Sequence, residues 1–242
     1  MQFRAKDLAL MISFAALYAV LSFVSLFSII GSVGSFITLA SVIAPLIGMM
    51  LGPYIGAGAV SIGGFLGWSI TQTGAFGFLS FIPGAATAFG SGLLVNDKRT
   101  RFVVLYLVLF LLLAFYPTIG PVWLYPFYLW FQFIGLIVLA SPLTSMAVQS
   151  VNGEGNPVWL SLGVGTISLV STLLGQIAGN LMFELTRWPT FYPQIEYWRI
   201  WQWQVLAFVY PVERLIITLI ATVVGLPSIK AIRAYGFKIG GK

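Results

Sequence analysis

The chain contains no cysteine and no histidine. Lacking cysteine, it has no disulfide, no thiolate nucleophile and no iron–sulfur or haem-thiolate ligation. Lacking histidine, it is without the commonest transition-metal ligand and acid–base group. Charge is scarce as well: 7% of residues are Asp, Glu, Lys or Arg, against about 25% in soluble domains. A water-soluble fold is excluded by that composition.

What fills the chain is apolar. Hydrophobic residues make up 59% of it, and the mean hydropathy is +0.99. At about 20 residues per spanning helix, the length suffices for about six to eight helices and leaves nothing for a soluble domain. We therefore read residues 1–242 as a single integral membrane domain, all-α, a polytopic transmembrane helix bundle in the cell membrane. Spanning β-barrels alternate apolar and polar residues, whereas the run Phe102 to Phe115 is apolar on every face. The first apolar run, Leu8 to Ile30, exceeds a signal-peptide core and has no small-residue cleavage site with a polar stretch behind it. It is expected to remain as the first membrane helix.

Apolar runs place eight segments at approximately 7–30, 34–52, 54–73, 76–95, 102–119, 121–148, 158–182 and 204–228. Positive charge gathers at Arg4 and Lys6, at Lys98, Arg99 and Arg101, and at Lys230, Arg233, Lys238 and Lys242. An even number of passes puts all three groups on one side, which the positive-inside rule makes the cytoplasm, with both termini there. These groups form no basic face that a nucleic acid could follow. The connection from Phe183 to Gln204 falls outside and carries Trp188, Phe191, Tyr192, Tyr197, Trp198, Trp201 and Trp203, residues suited to lying along the lipid interface. Within it, Glu184 with Arg187 and Glu196 with Arg199 have the spacing of solvated surface pairs on a helical turn. The stretch Val151 to Pro157 reads as a flexible loop on the inner side.

Small residues recur four apart at Gly48, Gly52 and Gly56, at Gly63 and Gly67, and at Gly175 and Gly179. That spacing lets helix backbones approach closely. Gly52-Pro53 interrupts the second apolar run and predicts a tight helical hairpin.

Enzyme motifs are missing: there is no HExxH, no Ser/His pair and no Asp-rich pyrophosphate motif. Gly236 to Lys242 matches the start of a phosphate loop, but the Ser or Thr and the following helix are not there. The chain reads as a non-enzyme without cofactor or metal. Its informative residues are polar groups inside apolar runs, because each is costly in hydrocarbon unless it is partnered or faces a cavity. They are Gln72, Gln132, Gln176, Asn180, Glu213 and Arg214. Gln176 and Asn180 share a helix face, whereas Glu213 and Arg214 diverge by about 100° and need not pair. With Tyr210, and with Trp68, Trp123, Tyr125 and Trp130 as flat walls, they outline an outward pocket for a small polar solute. Hydrogen bonding between helices accounts for the same residues equally well.

The opening Lys6-Asp-Leu-Ala-Leu-Met-Ile-Ser-Phe-Ala15-Ala-Leu-Tyr-Ala19-Val-Leu resembles the first helix of the substrate-binding S components of energy-coupling factor transporters. The stretch Pro45 to Gly67, with Leu51-Gly-Pro53 ahead of a glycine-rich helix, and Ser80 to Arg101 continue the likeness in the same order. The resemblance implies that Ala15 and Ala19, as small residues four apart, contact a transmembrane coupling subunit. It also implies a micronutrient such as a vitamin as solute, and two ATPase subunits as the source of energy. Two features depart from the family's pattern: about eight segments instead of six, and no vitamin-binding signature in the later half. Two other readings fit the residues. One is a self-contained ion-coupled transporter or channel using Glu213, and the other a structural subunit whose polar groups join helices.

Overall fold

A computed structural model of the protein describes residues 5–29, 34–72, 74–117, 120–153, 156–186, 202–235 and 239–241. Helix α1 (Ala5–Leu21) leads into a short antiparallel hairpin of β1 (Ser25–Ser28) and β2 (Phe36–Thr38), in which Ser28 faces Phe36 and Phe27 faces Ile37. The first apolar run therefore does not continue as helix to residue 30, and the fold is not purely helical. Apolar residues satisfy a strand as readily as a helix, and this run ends in aromatic and Ser residues that pair across the hairpin. The Leu39 N–H donates to the Val24 carbonyl and seats the hairpin on the start of α2.

Helices α2 (Ala40–Leu51) and α3 (Pro53–Thr71) form the expected hairpin at Gly52-Pro53. Gly52 adopts φ 81°, a left-handed conformation open to glycine, and Pro53 begins the next helix with its fixed φ. A 3₁₀ turn (Gly77–Phe81) precedes α4 (Ile82–Val95), which is followed by α5 (Arg99–Ala114). The expected segment 121–148 is broken into α6 (Pro121–Leu124), a 3₁₀ turn (Pro126–Leu129), α7 (Trp130–Ala140) and α8 (Pro142–Asn152). The chain bends by 67° between α7 and α8. The cause is local: Ser141 is extended ahead of Pro142, as the proline ring requires, and its hydroxyl oxygen accepts from the Leu143 N–H to cap α8. Long helices α9 (Pro157–Thr186) and α10 (Trp203–Ala234) complete the chain, with a final 3₁₀ turn at Ile239–Gly241.

Among the described residues, three helical stretches are long and apolar enough to cross a membrane: Gly77–Val95, Pro157–Thr186 and Trp203–Ala234. The bent α7–α8 pair makes a fourth if it is one span. The shorter α2, at 12 residues, reaches about 18 Å, well below the ~30 Å of a hydrocarbon core. It is almost wholly buried inside the bundle instead. Helix α9 is central and packs on α4, α5, α7, α8 and α10. On its outer side α10 bares Val212, Leu215, Leu219 and Val223.

One end of the bundle gathers basic residues. Arg233 donates to the Ser150 carbonyl, Asn152 to Val95, and Asn96 to Gly240, which ties α4, α8, α10 and the last turn together. Arg99 at the start of α5 reaches the bend, its Nε donating to the Leu139 carbonyl at 2.9 Å and its Nη2 to that of Ser141 at 2.9 Å. Charged donors to otherwise unpaired carbonyls contribute about 1.5–3 kcal/mol each. Arg99→Met is thus expected to lower the melting temperature of the purified protein clearly, whereas Arg101→Met, lacking those bonds, should not. Equal effects would remove the bend from the account.

The aromatic residues between Trp188 and Trp201, both Arg partners of the expected surface pairs, Glu154, Arg4, Lys242 and most of the Gly236–Lys242 motif lie outside the described residues. Glu184, however, is not a solvated surface group. It is 2% exposed on the last turns of α9.

Candidate functional site

At the end opposite the Arg99 and Arg233 ties, α1, α3, α4, α9, α10 and the β-hairpin surround a cavity of about 190 Å³. Glycines open it: Gly64 and Gly67 on α3, Gly84 on α4, and Gly175 and Gly179 on α9 all line it. A side chain at Gly175 would meet the Thr87 hydroxyl and the Pro83 carbonyl, so α9 and α4 touch backbone to backbone along this wall. The hairpin supplies Ile29, Phe36, Ile37 and Thr38. Further aromatic walls come from Trp68 and Phe76, and from Phe183 and Trp203 across the cavity.

The polar lining comes from two helical stripes. On α9, Thr172, Gln176 and Asn180 follow at intervals of four and face the cavity. On α10, Tyr210 and Arg214 do the same. Asn180 is held by its Nδ2, which donates to the Tyr128 hydroxyl, and the Tyr128 ring in turn packs edge-on against Trp203 at 4.4 Å between centroids. Gln176 is buried, and neither its Nε2 nor its Oε1 has a hydrogen-bond partner among the described residues. An amide orphaned in this way costs roughly 1–3 kcal/mol.

Of the residues singled out from sequence, the structure brings Gln176, Asn180, Tyr210 and Arg214 together, with Trp68 among the walls. Gln72 does not join them. It ends α3 in a left-handed conformation, φ 53°, exposed, with its amide donating to the Ser69 carbonyl. Gln132 is buried in α7 away from the cavity, its backbone carbonyl accepting from the Tyr106 hydroxyl. Trp123 is exposed, and the Trp130 indole donates to the Ala207 carbonyl, joining α7 to α10.

Glu213 is buried beside the cavity without lining it. Its Oε2 stands 3.7 Å from Arg214 Nη2, so the two adjacent residues do pair. The flexible arginine stem folds the guanidinium back across the 100° that separates the two Cβ atoms. At that separation the contact is an ion pair without a hydrogen bond.

Ala15 and Ala19 face inward. They are 2% and 9% exposed, and their carbonyls lie against Gly63 and Gly67 of α3. The small-residue pattern is therefore used within this chain, while the outward face of α1 carries Leu8, Ile12, Leu17 and Val20.

Sequence reasoning did not single out Tyr18, Phe36, Phe76, Thr172, Phe183 or Tyr128 as site residues. Thr172 carried a legible signal, since it stands four residues before Gln176 on the same helix face. Comparison with protein families, with curated proteins and with solved structures gives no match for this chain.

Proposed function

We propose that this protein is a membrane-embedded substrate-binding subunit that captures a small micronutrient such as a vitamin and depends on partner ATPase subunits for uptake. In this reading the chain crosses the cell membrane six to eight times, with its basic end and both termini in the cytoplasm and the cavity open toward the outside. The observation that carries it is the buried amide of Gln176, without a hydrogen-bond partner among the described residues, beside a cavity walled by aromatics. Convergent polar groups set in apolar walls are the general form of a small-molecule site. The cavity, at about 190 Å³, favours a compact solute over an extended one. Resemblance of the first hundred residues to energy-coupling factor S components supplies the transmembrane coupling subunit and the two ATPases as partners.

Ala15 and Ala19 are the positions that the resemblance assigns to the coupling subunit. Since they are packed against α3, replacing them perturbs this chain's own fold, and a partner contact on α1 has to be tested at other positions.

A thermal-shift screen of the detergent-purified protein against vitamins, their precursors and nucleobase-like compounds tests solute capture. A ligand at a hundred times its dissociation constant is expected to stabilise the fold by about 2.7 kcal/mol, and Gln176→Leu is expected to abolish the shift. No stabilising compound, or a shift indifferent to Gln176→Leu, would remove this reading in favour of an ion-coupled carrier or a structural subunit.

A further inference from the structure

The charge that faces the cavity identifies the chemistry of its ligand further. Among the described lining residues Arg214 is the one with a formal charge, and no Asp, Glu or Lys joins it. Its side chain is largely buried, its Nε has no hydrogen-bond partner among the described residues, and its contact with Glu213, at 3.7 Å, is too long to be one. A guanidinium presents its N–H donors as a rigid planar fork that matches a carboxylate in two parallel bonds. Here Arg214 lines a cavity and makes no hydrogen bond through Nε among the described residues, so a planar oxyanion entering the cavity would compete only with the long Glu213 contact for the guanidinium.

Three further features narrow the choice. Phe36, Trp68, Phe76 and Trp203 provide flat apolar walls, which favour a ring over an extended chain. Gln176, on the neighbouring helix, adds an amide whose donor and acceptor have no partner among the described residues. Glu213 already offsets the charge of Arg214 from outside the lining, so a doubly charged ligand would crowd negative charge about one guanidinium.

We propose that the cavity selects a compact ring compound bearing a single carboxylate, which binds the Arg214 fork while a second polar group of the ring meets the Gln176 amide. This rests on the solute-capture reading and adds the ligand's charge and shape to it. Glu213 then acts as a counterweight. It keeps Arg214 neutralised while the cavity is empty and competes with the incoming carboxylate for the same cation.

The test is a charge series on one ring, with binding followed by thermal shift and by titration calorimetry on the purified full chain. Benzoate, benzamide, phenyl phosphate and trimethylphenylammonium are compared at equal millimolar concentration. Benzoate alone is expected to stabilise the protein. Arg214→Gln should weaken it by at least about tenfold, Arg214→Lys should weaken it as well because the fork is lost, and Glu213→Gln should tighten it. Opposite signs for the two neighbours are a readout that a purely structural ion pair would not produce.

Stabilisation by benzamide or by the ammonium compound in place of benzoate would overturn the carboxylate proposal and leave solute capture standing. Preference for phenyl phosphate would overturn the single charge. If none of the four compounds shifts the protein, the carboxylate proposal falls, while solute capture stands or falls by the vitamin screen with Gln176→Leu. The series on the unaltered protein decides the matter even if an Arg214 variant fails to fold.

Discussion

Glu213→Leu is expected to lower the stability of the folded protein by about 3–5 kcal/mol, because it strands a buried guanidinium without its counter-charge. Glu213 and Arg214 are both largely buried, and the 3.7 Å contact is the ion pair that Arg214 makes among the described residues. Removing both charges together is a different operation. A buried pair repays its desolvation only in part, so apolar replacements of similar size at both positions are roughly neutral or better. Glu213→Leu with Arg214→Leu is accordingly expected to regain most of the melting temperature lost in the single variant. It is also expected to lose solute binding entirely, since the cavity then has no charge. A double variant as unstable as the single one would mean that the two side chains matter for shape and not for charge. A stable double variant that still binds would exclude Arg214 from recognition.

The positions of most helices were legible because each is a sustained apolar run bounded by Gly, Pro or charge. The expected 158–182 and 204–228 correspond to Pro157–Thr186 and Trp203–Ala234, and the Gly52-Pro53 hairpin forms where proline chemistry puts it. The errors share one physical origin: uniform apolarity carries no period. Residues 7–30 and 121–148 read as unbroken segments, yet one turns into a strand after Leu21 and the other bends at Ser141-Pro142.

The site was legible to the extent that its residues repeat every four positions. Gln176 with Asn180, and Tyr210 with Arg214, stand one turn apart on single helix faces, and each pair reaches the cavity. Gln72 and Gln132 also follow an aromatic by four residues, Trp68 and Tyr128, and still do not reach the cavity. Polarity within an apolar run says that a group needs company, but not whether the company is a helix end, another helix or a cavity. The phenylalanine walls were hidden for another reason. Phe36 and Phe76 reach the cavity from a hairpin and a loop, and nothing local distinguishes them from the other phenylalanines of the chain.

Ala15 and Ala19 illustrate how a correct pattern leaves its partner open, and they lead to the second large effect. Two small residues four apart say that another backbone comes close, and here that backbone is α3. A Cβ at Gly63 would run into the Ala15 carbonyl and approach Tyr18 Cβ to 2.9 Å, so there is no slack on either side of the contact. Ala15→Leu is therefore expected to destabilise the isolated protein by about 3 kcal/mol, the upper end for overpacking a close contact. Ala15→Leu combined with Ala19→Leu should abolish the folded state. Leu17→Ala, on the exposed face of the same helix, should leave the melting temperature nearly unchanged. Size-exclusion profile and thermal melting of the purified chain, with no partner present, give the answer. If Ala15→Leu melts like the unaltered protein, α1 is not held against α3 by these residues, and the pair becomes available again as a contact for a coupling subunit.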